Sequence, residues 1–305
     1  MSQQREGTQP LLPEGVRRRL EPLMLVAKKA RVGAIKGDRR SIKRGTSIEF
    51  ADYRNYAPGD DLRQLDWNIY ARLERPYIKL LEDEEDLAVH LILDASASMD
   101  FPPEGEPDQH KLFYAKRIAA GLAYVSLTSG DRLTLTAIND RRMASFGPAR
   151  GRAQSIAMLR FIDDIAADGI TDLDAALSDY AIRARRPGLT LVVSDMFSLE
   201  GGYLDGLHAL LSRGHEVAFV HVLAPEEVQP PVVGDLSLVD VETELQQEVT
   251  VDGTMLGIYQ QRLTAWRASI REECLRRGAH YFPLETDTPW ERLILSDMRR
   301  AGLLK

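Results

Sequence analysis

Asp94, Ser96 and Ser98 lie in the stretch "LILDASASMD", where an apolar run ends in a carboxylate followed by two serines. Those residue types allow three readings: a nucleophile, oxygen ligands for a hard cation, or ordinary turn chemistry. Extended spacing puts Ser96 and Ser98 on the same side, and small Ala95 and Ala97 let the backbone come close. A cation such as Mg2+ wants about six oxygens in octahedral geometry and often keeps waters. Asp195, closing "LVVSD", offers a second carboxylate, and Thr171 in "GITDLDAAL" a third hydroxyl. Thr171 is also a ready helix N-cap, with Asp174 completing a capping box.

The nucleophile reading makes the chain a metal-dependent hydrolase working through Asp94 or Ser96. A phosphatase with an aspartyl nucleophile would want a second aspartate at position 96, where serine stands. A serine hydrolase would want Gly-x-Ser-x-Gly, but alanine flanks Ser96 and Ser98. None of the six histidines forms His-Glu-x-x-His, and there is no Gly-x-x-x-x-Gly-Lys-Ser/Thr loop for nucleotide hydrolysis. His90 and His221 sit inside apolar runs and read as core residues. The single cysteine, Cys274, excludes an internal disulfide framework and a multi-cysteine zinc site, and reads as core packing.

The elements that must position these residues begin at about residue 87. "LAVHLILD", "LTLVVSD" and "EVAFVHVLA" are near-continuous apolar strands. Between and after them come helical patterns at "KLFYAKRIAAGLAYVSLTSG", "AQSIAMLRFIDDIA", "LDAALSDYAIRAR" and "LDGLHALLSRG". Paired strands are expected at "DRLTLTAIND" and "RMASFG", and short strands over 237–251. A helix is expected from about 256 to 277, a further strand pattern at "AHYFPLET", and a final helix from Trp290. Strand–helix alternation of this kind predicts an α/β fold: a mostly parallel sheet with helices on both faces. Ligands in such folds sit beyond the carboxyl ends of the strands. Asp94 and Asp195 both occupy that edge, so topology makes them candidates for one site despite their separation in sequence.

Residues 1–86 are taken as an attached N-terminal region and 87–305 as the main domain. A helix is expected over 15–31, then a basic loop broken by Gly33, Gly37 and Gly45, then a turn at Pro58-Gly59-Asp60. The chain carries a net charge of −7, distributed unevenly. The first 50 residues hold twelve Lys/Arg against five Asp/Glu, leaving about −14 for the remainder. The basic segment is read as a solvated or partner-docking surface; anionic-surface binding through it ranks last. Aromatic residues are not interleaved with its charges, which argues against single-stranded nucleic acid. No window offers the roughly 18 consecutive apolar residues of a membrane span, and no secretory signal is visible, so a soluble cytoplasmic protein is the expectation.

Read together, Asp94, Ser96, Ser98, Thr171 and Asp195 resemble the metal-ion-dependent adhesion site of von Willebrand factor A-type domains. That motif runs Asp-x-Ser-x-Ser, then a distant Thr, then a distant Asp. Ile170 precedes Thr171 where many such domains have glycine, and Met196 follows Asp195 where glycine is frequent. The resemblance implies one divalent cation, Mg2+ or alternatively Mn2+ or Ca2+. The hydroxyls would hold it directly, the aspartates directly or through water, and a partner's carboxylate would complete the set.

Upstream, Arg54, Tyr56, Pro58, Gly59, Asp60, Arg63, Asp66, Trp67, Ala71 and Arg72 resemble the signature of the bacterial family called domain of unknown function fifty-eight. The likeness covers roughly residues 35–285. It implies a von Willebrand factor A-like fold and action beside a MoxR-type AAA+ ATPase, since members are commonly encoded next to such ATPases. The expected function is a non-enzymatic, metal-dependent adaptor with a chaperone-like or maturation role, linking the ATPase to a client that offers a carboxylate. Within the signature, Trp67 is expected to bury an aromatic plate between the two regions. Asp60, Arg63, Asp66 and Arg72 are expected to form a buried ionic network, the alternative being an arginine-rich loop that senses nucleotide in a partner ATPase.

Overall fold

The computed structural model describes residues 10–27, 48–57, 65–83, 87–103, 106–139, 142–197, 202–231, 234–239 and 246–305. Two units emerge: Met1–Lys36 with Leu87–Lys305, and Gly37–Asp86. The larger unit is therefore discontinuous, whereas the sequence reading grouped 1–86 together. The reason is apolar burial at the chain's start. Helix α1 (Glu14–Leu20) buries Leu20, and Leu23 and Leu25 join the same hydrophobic cluster as the central helix of the domain.

That first helix ends well before the expected residue 31. Pro22 has no N–H to donate back along the helix. The chain instead runs on extended, with Met24 N and Val26 N donating to Lys305 O and Leu303 O at 3.1 and 2.9 Å. Residues 28–31 and the glycine-broken basic loop lie outside the described residues.

The smaller unit pairs β1 (Ile48–Asn55) antiparallel with β2 (Tyr77–Asp83), with helix α2 (Trp67–Leu73) between them in sequence. Asp66 caps α2, accepting from Asn68 N at 2.9 Å and Ile69 N at 3.1 Å. Trp67 is 62% exposed, and Tyr70 and Leu73 follow it at helical spacing, also exposed. A helix of two turns with no buried residue has no core face on which to seat an indole. Arg72 is exposed, so it is not part of a buried ionic network. Pro58, Gly59, Asp60 and Arg63 lie outside the described residues.

In the larger unit the apolar runs become the centre of a six-stranded sheet. Its strands are β3 (Ala88–Asp94), β4 (Arg132–Asn139), β5 (Arg142–Ala149), β6 (Leu189–Ser194), β7 (Glu216–Leu223) and, from the chain's last quarter, β10 (His280–Glu285). The order is β10-β7-β6-β3-β4-β5, parallel throughout except for β5, which returns antiparallel on β4. Every residue of β3, β6 and β7 is buried, which is why these strands read as unbroken apolar runs rather than alternating ones. The short strands expected over 237–251 are the hairpin β8 (Gly234–Val239) and β9 (Gln246–Val251).

Helices cover both faces, giving the α/β architecture expected from the sequence. One face carries α3 (Lys111–Thr128) and α4 (Ser155–Asp163); the other carries α5 (Leu173–Arg183), α6 (Leu204–Ser212) and the end of α8 (Gly253–Arg277). The one-turn α7 (Pro225–Val228) follows β7. The chain's last elements are a π turn at Leu293–Asp297 and α9 (Met298–Arg300). Gly121 lets Trp290 and Ile294 press against α3: a Cβ there would meet Ile294 Cδ1 at 2.6 Å and Trp290 Cζ3 at 2.9 Å. Wrapped in this way, α3 is buried on nearly every side, a condition that its first residue makes consequential.

Candidate metal centre

β3 and β6 are neighbours, so their carboxyl ends bring Asp94 and the Ser194–Asp195 pair together. Asp94 Oδ2 accepts from Ser194 Oγ at 2.6 Å, and Oδ1 accepts from Ser96 N at 3.0 Å. The chain then makes a tight turn over Ala97–Met99, which sets Ser96 Oγ 3.0 Å from Ser98 Oγ. Ser96 is buried and Ser98 half-buried, so the cluster meets solvent on the Ser98 side.

The loop before α5 is fastened to this turn by two backbone bonds. Ala97 N donates to Gly169 O at 2.8 Å, and Asp168 N to Ala95 O at 2.9 Å. Thr171 follows two residues later, 1% exposed, and its Oγ1 has no hydrogen-bond partner among the described residues. The N-cap alternative fails: Asp172 caps α5 by accepting from Ala175 N at 3.0 Å, while Asp174 Oδ1 accepts from Gly206 N at 2.9 Å. A buried hydroxyl without a partner costs about 1–3 kcal/mol. Thr171 thus carries an orphan oxygen on a loop tied to the turn that bears Ser96 and Ser98.

Both departures from glycine have a structural resolution. Ile170 keeps an ordinary backbone, because the left-handed residue of that loop is Gly169, at φ 72°. Met196 does occupy the left-handed region, at φ 58°, a conformation costing a side-chain-bearing residue about 1–2 kcal/mol. Its side chain is buried in the cluster with α5 and α6, and its N–H donates to Ser194 Oγ at 2.8 Å. Those contacts hold the strained turn that presents Asp195.

Asp195 carries a feature the sequence reading missed. Its Oδ2 accepts from Lys111 Nζ at 2.7 Å, and its Oδ1 from Phe197 N at 3.1 Å. The same ammonium donates to Glu227 Oε1 at 2.6 Å; Glu227 sits on α7, and its Oε2 accepts from Ala224 N at 2.8 Å. The side chains of Lys111 and Asp195 are wholly enclosed. Burial alone would lower the Lys111 pKa, but Asp195 and then Glu227 reverse that and leave it raised. Burial raises Glu227 in spite of the ammonium beside it. Asp94 is pushed up to about 6, first by burial and then by the Asp195 charge, against the hydrogen bonds from Ser194 and Ser96. A signal for Lys111 was present: a lysine at the first position of an apolar helix faces the wrong end of the helix dipole.

The donor set is three hydroxyls and two carboxylates, and the orphaned Thr171 Oγ1 fits a hard, oxygen-seeking cation. Among the described residues no cluster of three or more His, Cys, Asp or Glu is placed to hold a metal, so any metal here depends on hydroxyl oxygen. No histidine among the described residues hydrogen-bonds Ser96 or Ser98. His90 bonds Tyr180 Oη at 2.7 Å, and His221 bonds Tyr281 Oη at 2.6 Å. Burial holds the two histidines at about 4 and about 3, so both are neutral. A cleft of about 540 Å3 lined by His90, Tyr180, Arg132 and Arg186 lies toward the opposite, amino end of β3 and β4.

Residues 52–268 match the family described as "Protein of unknown function DUF58". The uncharacterized protein Rv1480 of Mycobacterium tuberculosis is 30% identical over 292 residues, spanning 93% of this chain and 90% of its own. Similar solved structures include the conserved hypothetical protein BatB from Bacteroides thetaiotaomicron (TM-score 0.44, 15% identity, 71% of this chain and 98% of that one). A von Willebrand factor type A protein from Catenulispora acidiphila is another (TM-score 0.36, 16% identity, 48% of this chain and 35% of that one).

Proposed function

The chain belongs to the DUF58 family, and on that footing we propose that it is a non-enzymatic protein-interaction module whose docking site is a divalent cation. Asp94, Ser96, Ser98 and Thr171 would hold the cation, with Asp195 balancing charge behind them. The observation that carries this reading is the buried Thr171 hydroxyl, without a partner among the described residues, just past the loop that is hydrogen-bonded to the Ser96–Ser98 turn. Neutral hydroxyl ligands leave a bound Mg2+ electropositive, so it supplies an attraction for a carboxylate from outside. Ser98, the partly exposed member, marks the side from which that carboxylate would arrive.

The partner we propose is a MoxR-type AAA+ ATPase, with a client protein presenting the carboxylate, in the cytoplasm and in a chaperone-like or maturation role. The family resemblance supports the partner. Among the described residues no helix is long and apolar enough to cross a membrane. Among the described residues neither serine has a histidine in hydrogen-bonding reach, and the histidines of β3 and β7 are bonded elsewhere, which favours the module over the hydrolase reading. The basic segment behind the anionic-surface reading falls mostly outside the described residues.

The test is co-purification of the ATPase with the full chain in Mg2+ and in EDTA, repeated for Ser96→Ala/Ser98→Ala. Capture that needs Mg2+ and is lost in the folded double variant supports the module. Equal capture under all four conditions sinks the metal-bridged interaction.

A further inference from the structure

Lys111 stands where the adhesion-site resemblance places no cation of the protein's own. Its ammonium touches Asp195 at 2.7 Å and Glu227 at 2.6 Å, and the rings of Phe101 and Phe197 lie 5.7 and 5.5 Å from Nζ. An ammonium at the amino end of a helix opposes the helix dipole, and a buried one is costly unless it is fully paired. Here two carboxylates from separate elements, β6's end and α7, complete the pairing, and two aromatic faces close the remaining sides. Burial is complete for the lysine side chain. Nothing in this arrangement resembles a surface ion pair.

The consequence for Asp195 is direct. One of its oxygens is taken by the ammonium and the other by Phe197 N. Other oxygens remain for a cation: Thr171 Oγ1 has no partner among the described residues, and the Ser96 and Ser98 hydroxyls lie 3.0 Å from each other.

We propose that Lys111 is a resident cation of the site: it neutralises Asp195 in place of the divalent ion. The metal is thereby confined to the Asp94, Ser96, Ser98 and Thr171 side, and the site's affinity for divalent cations is held down. This rests on the metal-site reading above. A fixed positive charge a few ångströms from a divalent ion repels it strongly in a water-poor setting. The lysine therefore tunes a site that fills at high cation concentration and releases readily.

The experiment is calorimetric titration of the full chain with Mn2+, wild type against Lys111→Met and Lys111→Met/Glu227→Gln, with thermal unfolding to show that each is folded. Lys111→Met leaves two carboxylates unpaired. The double variant removes ammonium and carboxylate together, so it keeps the wild-type net charge and carries the test where the single variant does not fold. Binding at least about tenfold tighter in the folded variants than in the wild type is expected. Equal or weaker binding overturns the inference while leaving the metal site standing. Binding by the variants but not by the wild type supports the inference and removes the metal-dependent function. No binding by any folded protein removes both. Reductive methylation of the wild type, read peptide by peptide, needs no variant. Lys111 should stay protected with and without Mn2+, and a lysine that becomes reactive on Mn2+ addition overturns the proposal.

Discussion

Thr171→Val separates a metal ligand from an ordinary buried threonine, because the two roles predict opposite signs. Valine matches threonine in shape and replaces the hydroxyl by a methyl. Thr171 is 1% exposed and its hydroxyl has no partner among the described residues, so removing it without a bound cation relieves an unsatisfied polar group worth about 1 kcal/mol or more. In EDTA the variant should melt about 2–4 °C above the wild type, the shift that 1 kcal/mol produces in a domain of this size. In Mg2+ the order changes. A cation at ten times its Kd stabilises the native state by about 1.4 kcal/mol, and a tenfold loss of affinity cuts that to about 0.4 kcal/mol. The variant's Mg2+-dependent rise in Tm should therefore shrink to roughly a third. Differential scanning fluorimetry with and without Mg2+ measures both effects. A variant that melts below the wild type in EDTA and keeps the full Mg2+ increment would refute the reasoning, since the hydroxyl would then have a structural partner and no metal.

Three further outcomes follow from the packing and the buried charges. His90 and His215 are each held at about 4, below their ordinary 6.5, by burial, so between those values the unfolded chain binds more protons than the native one. Their contribution, about 3 kcal/mol each, is complete above pH 6.5 and is lost as pH falls toward 4. Asp94, raised to about 6, works in the opposite sense between about 4 and 6, so metal-free Tm should still fall on acidification through this window, and a flat profile would contradict the buried neutral histidines. Gly188→Ala should destabilise by about 3 kcal/mol or more in a denaturant titration, because its Cβ would lie 2.0 Å from Ala88 O where β6 enters beside β3; a cost under about 1 kcal/mol would contradict that approach. Cys274, with burial raising its thiol to about 12, should resist a thiol reagent at about pH 8 until the protein unfolds, and prompt labelling of the native chain would show otherwise.

The strands were legible because β3, β6 and β7 are covered on both faces, so most positions are apolar up to the edge where the carboxylates begin. Their parallel pairing made Asp94 and Asp195 neighbours on topology alone. Thr171 was legible as a hydroxyl but ambiguous in role, since an N-cap and a metal ligand look alike until Asp172 is seen capping α5. Lys111 was hidden because its partners come from β6 and α7, separated from it by 84 and 116 positions. Only its odd place at a helix start hinted at them. The helix expected over 15–31 failed at Pro22, a signal local enough to have been used. Trp67 shows the converse: an indole reads as core, yet α2, which carries it, buries no residue.

The central claim is that Asp94, Ser96, Ser98 and Thr171 hold a divalent cation in this fold. Crystals of the full chain soaked in Mn2+ and measured at a wavelength where manganese scatters anomalously would test it most directly. A single strong peak about 2.1 Å from the hydroxyl oxygens of Ser96, Ser98 and Thr171 is the predicted result. An intact, well-ordered site with no peak among those three oxygens would contradict it.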